Sequence, residues 1–346
     1  MRSVAHLADA DRQELFAETA ARLGLRPAIV EKDFWVCLIL ELLFTESAYK
    51  DHLVFKGGTS LSKAYQLIER FSEDIDLILD WSFIGFGERG IDPFQNFPSH
   101  TRQDRFNKEV NRLAGELIRD RLCQEWTGIL ARAHAQLAAA VDGEDPMVVN
   151  VHYPAAFAER YIRPEVRLEI GPLASWIPSA AHRITPYAAQ VFPAVFKSPS
   201  CRVLTIAAER TFWEKATILH AEAHRPDLIP PRYSRHYYDL YRLALSPVRA
   251  SALSRLDLLE DVVRFKRRFY PLRRARYDLA EPGTLKLVPG RPEQLAALAR
   301  DYAGMQVMLF GDPPRFQEIL ARLDELERAI NTAQEPAGIS HAARSA

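Results

Sequence analysis

An α/β or α+β domain followed by a helical one is what the sequence predicts, on three observations. Leu53-Val54-Phe55 and Asp74-Ile75-Asp76-Leu77-Ile78-Leu79 read as short strands with a helix between them. Residues 147–153 and 165–170 read as two more strands, the second alternating Val166, Leu168 and Ile170 with Glu165, Arg167 and Glu169. Beyond residue 200 the apolar spacing is helical.

In chain order, residues 8–23 and 28–44 have helical spacing, the second with Trp35, Leu38 and Leu42 on one face, and form a lid or brace ahead of the first strand. A helix over 60–69 follows that strand. In 74–79, Ile75, Leu77 and Leu79 line one face and Asp74 and Asp76 the other, so one face is core and one is chemical. Gly, Pro, Asn and Ser at turn-forming density make 81–101 a loop beside the carboxylates. Phe106, Val110, Leu113 and Leu117 mark an amphipathic helix that continues, with a break at Gly128, toward Val141. Helices then fall at 206–223, 235–245, 249–269, 292–305 and 313–331, the last with Phe316, Ile319, Leu320, Leu323 and Ile330 inward. A Pro- and Ser-rich loop near Lys197 and Ser200 sets the domain boundary near 200. Residues 1–200 are then a core with N-terminal helices, 201–331 a helical domain, and 332–346, rich in Ala and Ser, a disordered tail.

The 346 residues suffice for two ordinary domains, and 48% hydrophobic with 26% charged residues is a soluble globular composition. With 45 basic residues against 45 acidic ones there is no global pull toward nucleic acid or membrane, so any nucleic-acid contact is local. Cys37, Cys123 and Cys201 are too far apart for a zinc site or a disulfide framework, which points to a reducing compartment. No signal-like stretch and no long apolar run occur, so the expectation is a cytoplasmic protein without membrane contact.

The chemistry is concentrated in Phe55-Lys56-Gly57-Gly58-Thr59-Ser60 and in Asp74-Ile75-Asp76. Two carboxylates about 4 to 6 Å apart repel unless a divalent cation supplies opposing charge, and Mg²⁺ prefers carboxylate and phosphate oxygens. Gly57 and Gly58 let backbone approach a phosphate, Thr59 or Ser60 caps the helix that begins there, and Lys63 and Arg70 flank the turn. A Walker A loop is excluded, because Gly-Lys-Ser/Thr after four spacer residues is absent. Arg264-Phe265-Lys266-Arg267-Arg268-Phe269-Tyr270, with Arg273-Arg274-Ala275-Arg276-Tyr277, interleaves basic and aromatic residues as a surface for RNA phosphates and unpaired bases would, and a protein partner or a solvated helix end are the other readings of the same stretch.

Gly58-Thr59 followed by Asp74-x-Asp76 resembles the first motif of the polymerase-beta-like nucleotidyltransferase superfamily. The fuller strings Phe-Lys-Gly-Gly-Thr-Ser-Leu-Ser-Lys-Ala-Tyr and Arg-Phe-Ser-Glu-Asp-Ile-Asp-Leu resemble the AbiEii/AbiGii-type toxins of abortive-infection toxin–antitoxin systems, themselves similar to the mycobacterial MenT toxins. Glu31-Lys32-Asp33-Phe34-Trp35, Trp213-Glu214-Lys215 and Ser234-Arg235-His236-Tyr237-Tyr238-Asp239-Leu240 resemble further family motifs, so the likeness runs over about 28–245.

The resemblance implies an α+β fold, a polymerase-beta-like mixed sheet with flanking helices followed by a helical C-terminal domain that adds Lys215 and Asp239 to the site. It implies NMP transfer from an NTP, with Mg²⁺ or Mn²⁺, to an RNA acceptor such as the tRNA 3′ end, which would block translation and serve phage defence. Asp74 and Asp76 match the metal-binding pair. Gly58, Thr59 and Ser72 match the phosphate-side turn and the Ser-x-Asp element, Gly57, Ser60 and Lys63 complete the nucleotide-binding candidates, and Lys215 and Asp239 match the lysine and aspartate needed for activity. Glu169 is the third carboxylate, with Glu165 as the substitute, and a buried Asp239 held by Arg235 or His236 is the structural alternative. Lys266, Arg267, Arg268, Arg273 and Arg274 are the RNA-binding candidates. A cognate antitoxin and a monomeric state complete the expectation. Transfer to a small molecule or protein, or a catalytically silent nucleotide- or RNA-binding protein, are the competing readings.

Overall fold

In the computed structural model, residues 1–80, 84, 99–159, 162–172 and 178–333 are described; most of the expected loop over 81–101 and the tail from 334 lie outside them. The chain forms two compact units, Met1–Ala207 and Ala208–Ala346.

The first unit opens with three helices, α1 (Arg2–Ala5), α2 (Asp9–Leu23) and α3 (Pro27–Thr45). It continues through β1 (Leu53–Lys56), α4 (Gly57–Lys63), β2 (Ile75–Leu79), α5 (His100–Leu117) and α6 (Cys123–Ala133), then β3 (Ala138–Val141), β4 (Val148–His152), β5 (Glu165–Gly171), β6 (Ser179–Ile184), α7 (Tyr187–Val191) and β7 (Cys201–Ile206). The seven strands form one mixed sheet in the order β3-β4-β5-β2-β1-β7-β6. The centre is parallel where β2 meets β5 and β1 meets β7, and antiparallel between β1 and β2.

Alternation decides which face is core. Leu53 and Phe55, Ile75, Leu77 and Leu79, Val149 and Val151, and Val166, Leu168 and Ile170 share one buried cluster with Phe34, Trp35, Leu38 and Leu42 of α3. Each such side chain contributes about 1.5–3 kcal/mol when fully buried, which holds sheet and helix together. The burial of α3 extends around its whole circumference, from Val30 to Leu43, so it is an internal brace and not a lid. The thiols of Cys37, Cys123 and Cys201 are all buried and unpaired with one another.

Several expected boundaries move. The helix after β1 begins at Gly57 and ends at Lys63, because Gln66 takes a left-handed φ of 55° and turns the chain away. Neither Thr59 nor Ser60 caps it; the N-cap is Lys56. The long helix is interrupted by a π-turn at Ile118–Leu122 and not at Gly128, and His134 is already extended, so 138–141 are strand. Strands β6 and β7 were not anticipated. β6 is an edge strand, half-exposed along most of its length and so without clear alternation. β7 extends the sheet past residue 200, so the first unit closes at Ala207.

The second unit is helical throughout, with α8 (Ala208–Ala223), α9 (Ser234–Ala244), α10 (Val248–Leu253), α11 (Leu256–Phe269), α12 (Pro292–Met305) and α13 (Phe316–Thr332). The helix expected over 249–269 is two helices, separated at Ser254 and Arg255. In α13, Phe316, Ile319, Leu323 and Ile330 are buried as their spacing requires, while Leu320 is only half-buried. Among the described residues no helix is long and apolar enough to cross a membrane.

Candidate active site

In the first unit the sheet register assembles what the sequence separates. Lys56 pairs with Asp76 across β1 and β2, and Asp76 pairs with Glu169 across β2 and β5. Directly opposed residues share a face with Cβ atoms about 4.5–5.5 Å apart, so a cation and two carboxylates form one row on the face away from the core. Asp74 lies two residues before Asp76 on the same face, half-buried like it.

The glycine turn closes over this row. Gly57 has a φ of +81°, and a Cβ there would lie 1.8 Å from Asp76 Oδ2, so only glycine admits the carboxylate at the start of α4. A Cβ on Gly58 would meet Arg70 Nη2 at 2.5 Å and Ser72 Oγ at 3.0 Å. Thr59 Oγ1 hydrogen-bonds Ser72 Oγ at 2.8 Å and the Asp74 carbonyl oxygen at 2.5 Å, tying α4 to the approach of β2. Gly57, Gly58, Thr59, Ser72, Asp74, Asp76 and Glu169 are therefore brought together.

Two nucleotide-side candidates are not. Ser60 is fully buried and its hydroxyl donates to the Gly57 carbonyl at 2.8 Å. Lys63, six residues after Gly57, points away from the turn: its Nζ is 2.6 Å from Asp33 Oδ1 and 4.0 Å from the Tyr187 ring centroid. Burial works against that ammonium, and the Asp33 carboxylate more than offsets it, so the lysine pKa is raised. Glu165, the substitute third carboxylate, sits four residues from Glu169 and faces His152 and Arg163 instead. Arg167 pairs with Asp142, whose carboxyl is held down at about 2 chiefly by the Glu144 backbone N–H and the Asn150 amide.

Sequence reasoning missed Lys56 as a member of the row. Its signal was available: if Leu53 and Phe55 face the core, Lys56 faces the carboxylates. Among the described residues no three His, Cys, Asp or Glu side chains are gathered closely enough to hold a metal alone. Hard oxygen donors on one face beside a glycine turn nevertheless fit a magnesium ion, which usually takes one or two carboxylates and completes its shell with water and substrate phosphate.

The second unit builds a separate charged cluster. Lys215 on α8 donates to Asp239 Oδ2 at 2.8 Å and lies 3.0 Å from His236 Nδ1, with His236 and Asp239 one turn apart on α9. An ammonium can only donate, so Nδ1 accepts and the imidazole proton sits on Nε2. Asp239 is fully buried, so it acts through Lys215 and not on a ligand. Asp239 is thus a buried carboxylate, and Lys215 is one of the groups that hold it.

The basic-aromatic stretch divides in two. Phe265 and Phe269 are core, Lys266 donates to the Glu214 carbonyl at 3.2 Å, and Arg268 lies over the Phe269 ring. Arg267, Arg273 and Arg274 are exposed, with Tyr270 and Leu272 about half-exposed between them.

The family described as the nucleotidyl transferase AbiEii toxin of type IV toxin–antitoxin systems matches residues 39–322. Among solved structures the chain is similar to MenT4, a nucleotidyltransferase toxin from Mycobacterium tuberculosis H37Rv, at 20% identity and a TM-score of 0.51, over 92% of this chain and 90% of that one. That likeness bears on the fold. No curated protein matches the sequence.

Proposed function

The chain belongs to the AbiEii family of nucleotidyltransferase toxins of type IV toxin–antitoxin systems, and from that premise we propose that it transfers NMP from an NTP to an RNA hydroxyl, with the tRNA 3′ end as the acceptor. The observation that carries the reading is the Asp76–Glu169 row beneath the Gly57 turn.

In this reading the backbone at Gly57 and Gly58 approaches the triphosphate, and Thr59 and Ser72 hold the turn in register with Asp74. Asp74 and Asp76 would hold Mg²⁺, which when bound offsets the charge of triphosphate and carboxylates. Glu169 takes the proton of the attacking hydroxyl as its oxygen bonds to the α-phosphorus and the bond to the pyrophosphate oxygen breaks. Lys56 balances the carboxylate row. In the helical unit, Lys215 is the lysine of the family motif, and Asp239 and His236 fix the direction of its ammonium. Arg267, Arg273 and Arg274 with Tyr270 supply the RNA surface; transfer to RNA would arrest translation, and a cognate antitoxin would oppose it.

The test is to incubate the protein, and an Asp74→Asn variant, with total tRNA, Mg²⁺ and each labelled NTP in turn. Label on tRNA from one NTP, absent with the variant, supports the reading. Label on a protein or small molecule would replace the acceptor, and no transfer by a folded protein would overturn it.

A further inference from the structure

Glu31, Lys32 and Asp33 are three consecutive charged residues in the second turn of a core helix, exposed by only 1%, 2% and 4%. Burying three charges is costly unless each is met, and successive helical residues point about 100° apart, so each must be met by a different part of the chain. They are. Glu31 accepts from the backbone N–H groups of Ala156 at 2.8 Å and Phe157 at 3.2 Å, after β4. Lys32 donates to Glu73 Oε2 at 2.5 Å and to the Arg163 carbonyl at 3.2 Å. Asp33 accepts from Lys63 at 2.6 Å and from the Tyr187 N–H at 2.7 Å.

The places where these bonds end are not arbitrary. Glu73 immediately precedes Asp74, and Arg163 lies two residues before β5, the strand that carries Glu169. One ammonium therefore pins the entrances of both carboxylate strands. Lys63 closes α4, the helix that carries Gly57, Gly58 and Thr59, so Asp33 pins the turn that covers Asp76.

We infer that Glu31-Lys32-Asp33 is a positioning device, which sets from below the spacing of the Asp74/Asp76 and Glu169 strands and the seat of the glycine turn. The inference rests on the proposed function for its catalytic meaning, and on these contacts alone for its structural one. Lys32 and Asp33 touch no substrate and act through their partners. Groups that orient metal or phosphate ligands in this indirect way typically cost about 10–100-fold in affinity or activity when removed.

A double variant, Lys32→Met with Glu73→Gln, separates positioning from charge burial. Replacing both partners avoids leaving the Glu73 carboxylate without the Lys32 ammonium, so the double variant melts close to the parent. Hydrogen exchange at the first amides of β2 and β5 is nevertheless expected to rise at least tenfold, and Mg²⁺·NTP affinity, measured with each NTP by calorimetry, to fall by a similar factor. Lys32→Arg, which keeps both donations, restores both readouts. Parent-like exchange in the double variant would overturn the inference. If the parent itself binds no NTP, the proposed function fails, and the exchange result still decides the role of Lys32.

Discussion

The seat of Asp76 is formed by an absence, since the space its carboxylate occupies is where any other residue would put a Cβ at position 57. Gly57→Ala is therefore expected to act twice. The left-handed φ costs about 1 kcal/mol, visible as a small loss in urea stability, while displacement of Asp76 lowers transfer by roughly 10²-fold or more. A stability loss without a disproportionate activity loss would contradict the seat. Asp76→Asn and Lys215→Met are expected to lower transfer by at least about 10²-fold, but their stabilities should part company. Asp76→Asn relieves carboxylate crowding and should leave the melting temperature level or raised. Lys215→Met removes the ammonium paired with a fully buried Asp239 and should cost roughly 3–5 kcal/mol, recovered in part by adding Asp239→Asn.

Helix α8 carries an internal titration. His220 is fully buried; its Nε2 donates to the Arg276 carbonyl at 2.9 Å, and its Nδ1 accepts from the Lys286 N–H at 3.0 Å. Burial pushes its pKa down to about 4. The unfolded chain then binds the proton more readily, so the contribution is complete above about pH 6.5 and is lost as pH falls toward 4, by about 3 kcal/mol at most. Urea midpoints measured against pH should show this loss, and His220→Gln should flatten it. Elements such as α13 and β5 were legible because burial on one side imprints a period. The α4 helix starts three residues earlier and ends six residues earlier than 60–69, and Lys63, placed beside the turn by its position in sequence alone, packs against Asp33 and Tyr187. The contact of β2 with β5 left no local trace at all, since parallel pairing joins residues distant in sequence; Glu169 was reached by analogy and its polar alternation, and Lys56 was passed over.

Balanced charge makes the whole molecule a weak general ligand for nucleic acid, so affinity for RNA depends on a few side chains. With Arg267, Arg273 and Arg274 as the phosphate contacts, log K for RNA against log salt should have a slope of only about −2, and charge reversal at the three should bring it near zero without altering NTP affinity. A steep slope that survives reversal would move the RNA to another surface. The charge balance, the mixed sheet with flanking helices and the Asp-x-Asp sequence could all be read before folding; which basic side chains face outward depends on how α11 and the turn after it pack. The Lys56–Asp76–Glu169 row has one more implication, for how such a protein is made. Its members lie on strands β1, β2 and β5, and the last cannot dock until the ribosome has delivered it. A nascent or truncated chain that stops short of β5 carries the Asp-x-Asp motif without its neighbour, so on the proposed mechanism it lacks its base until the sheet is finished.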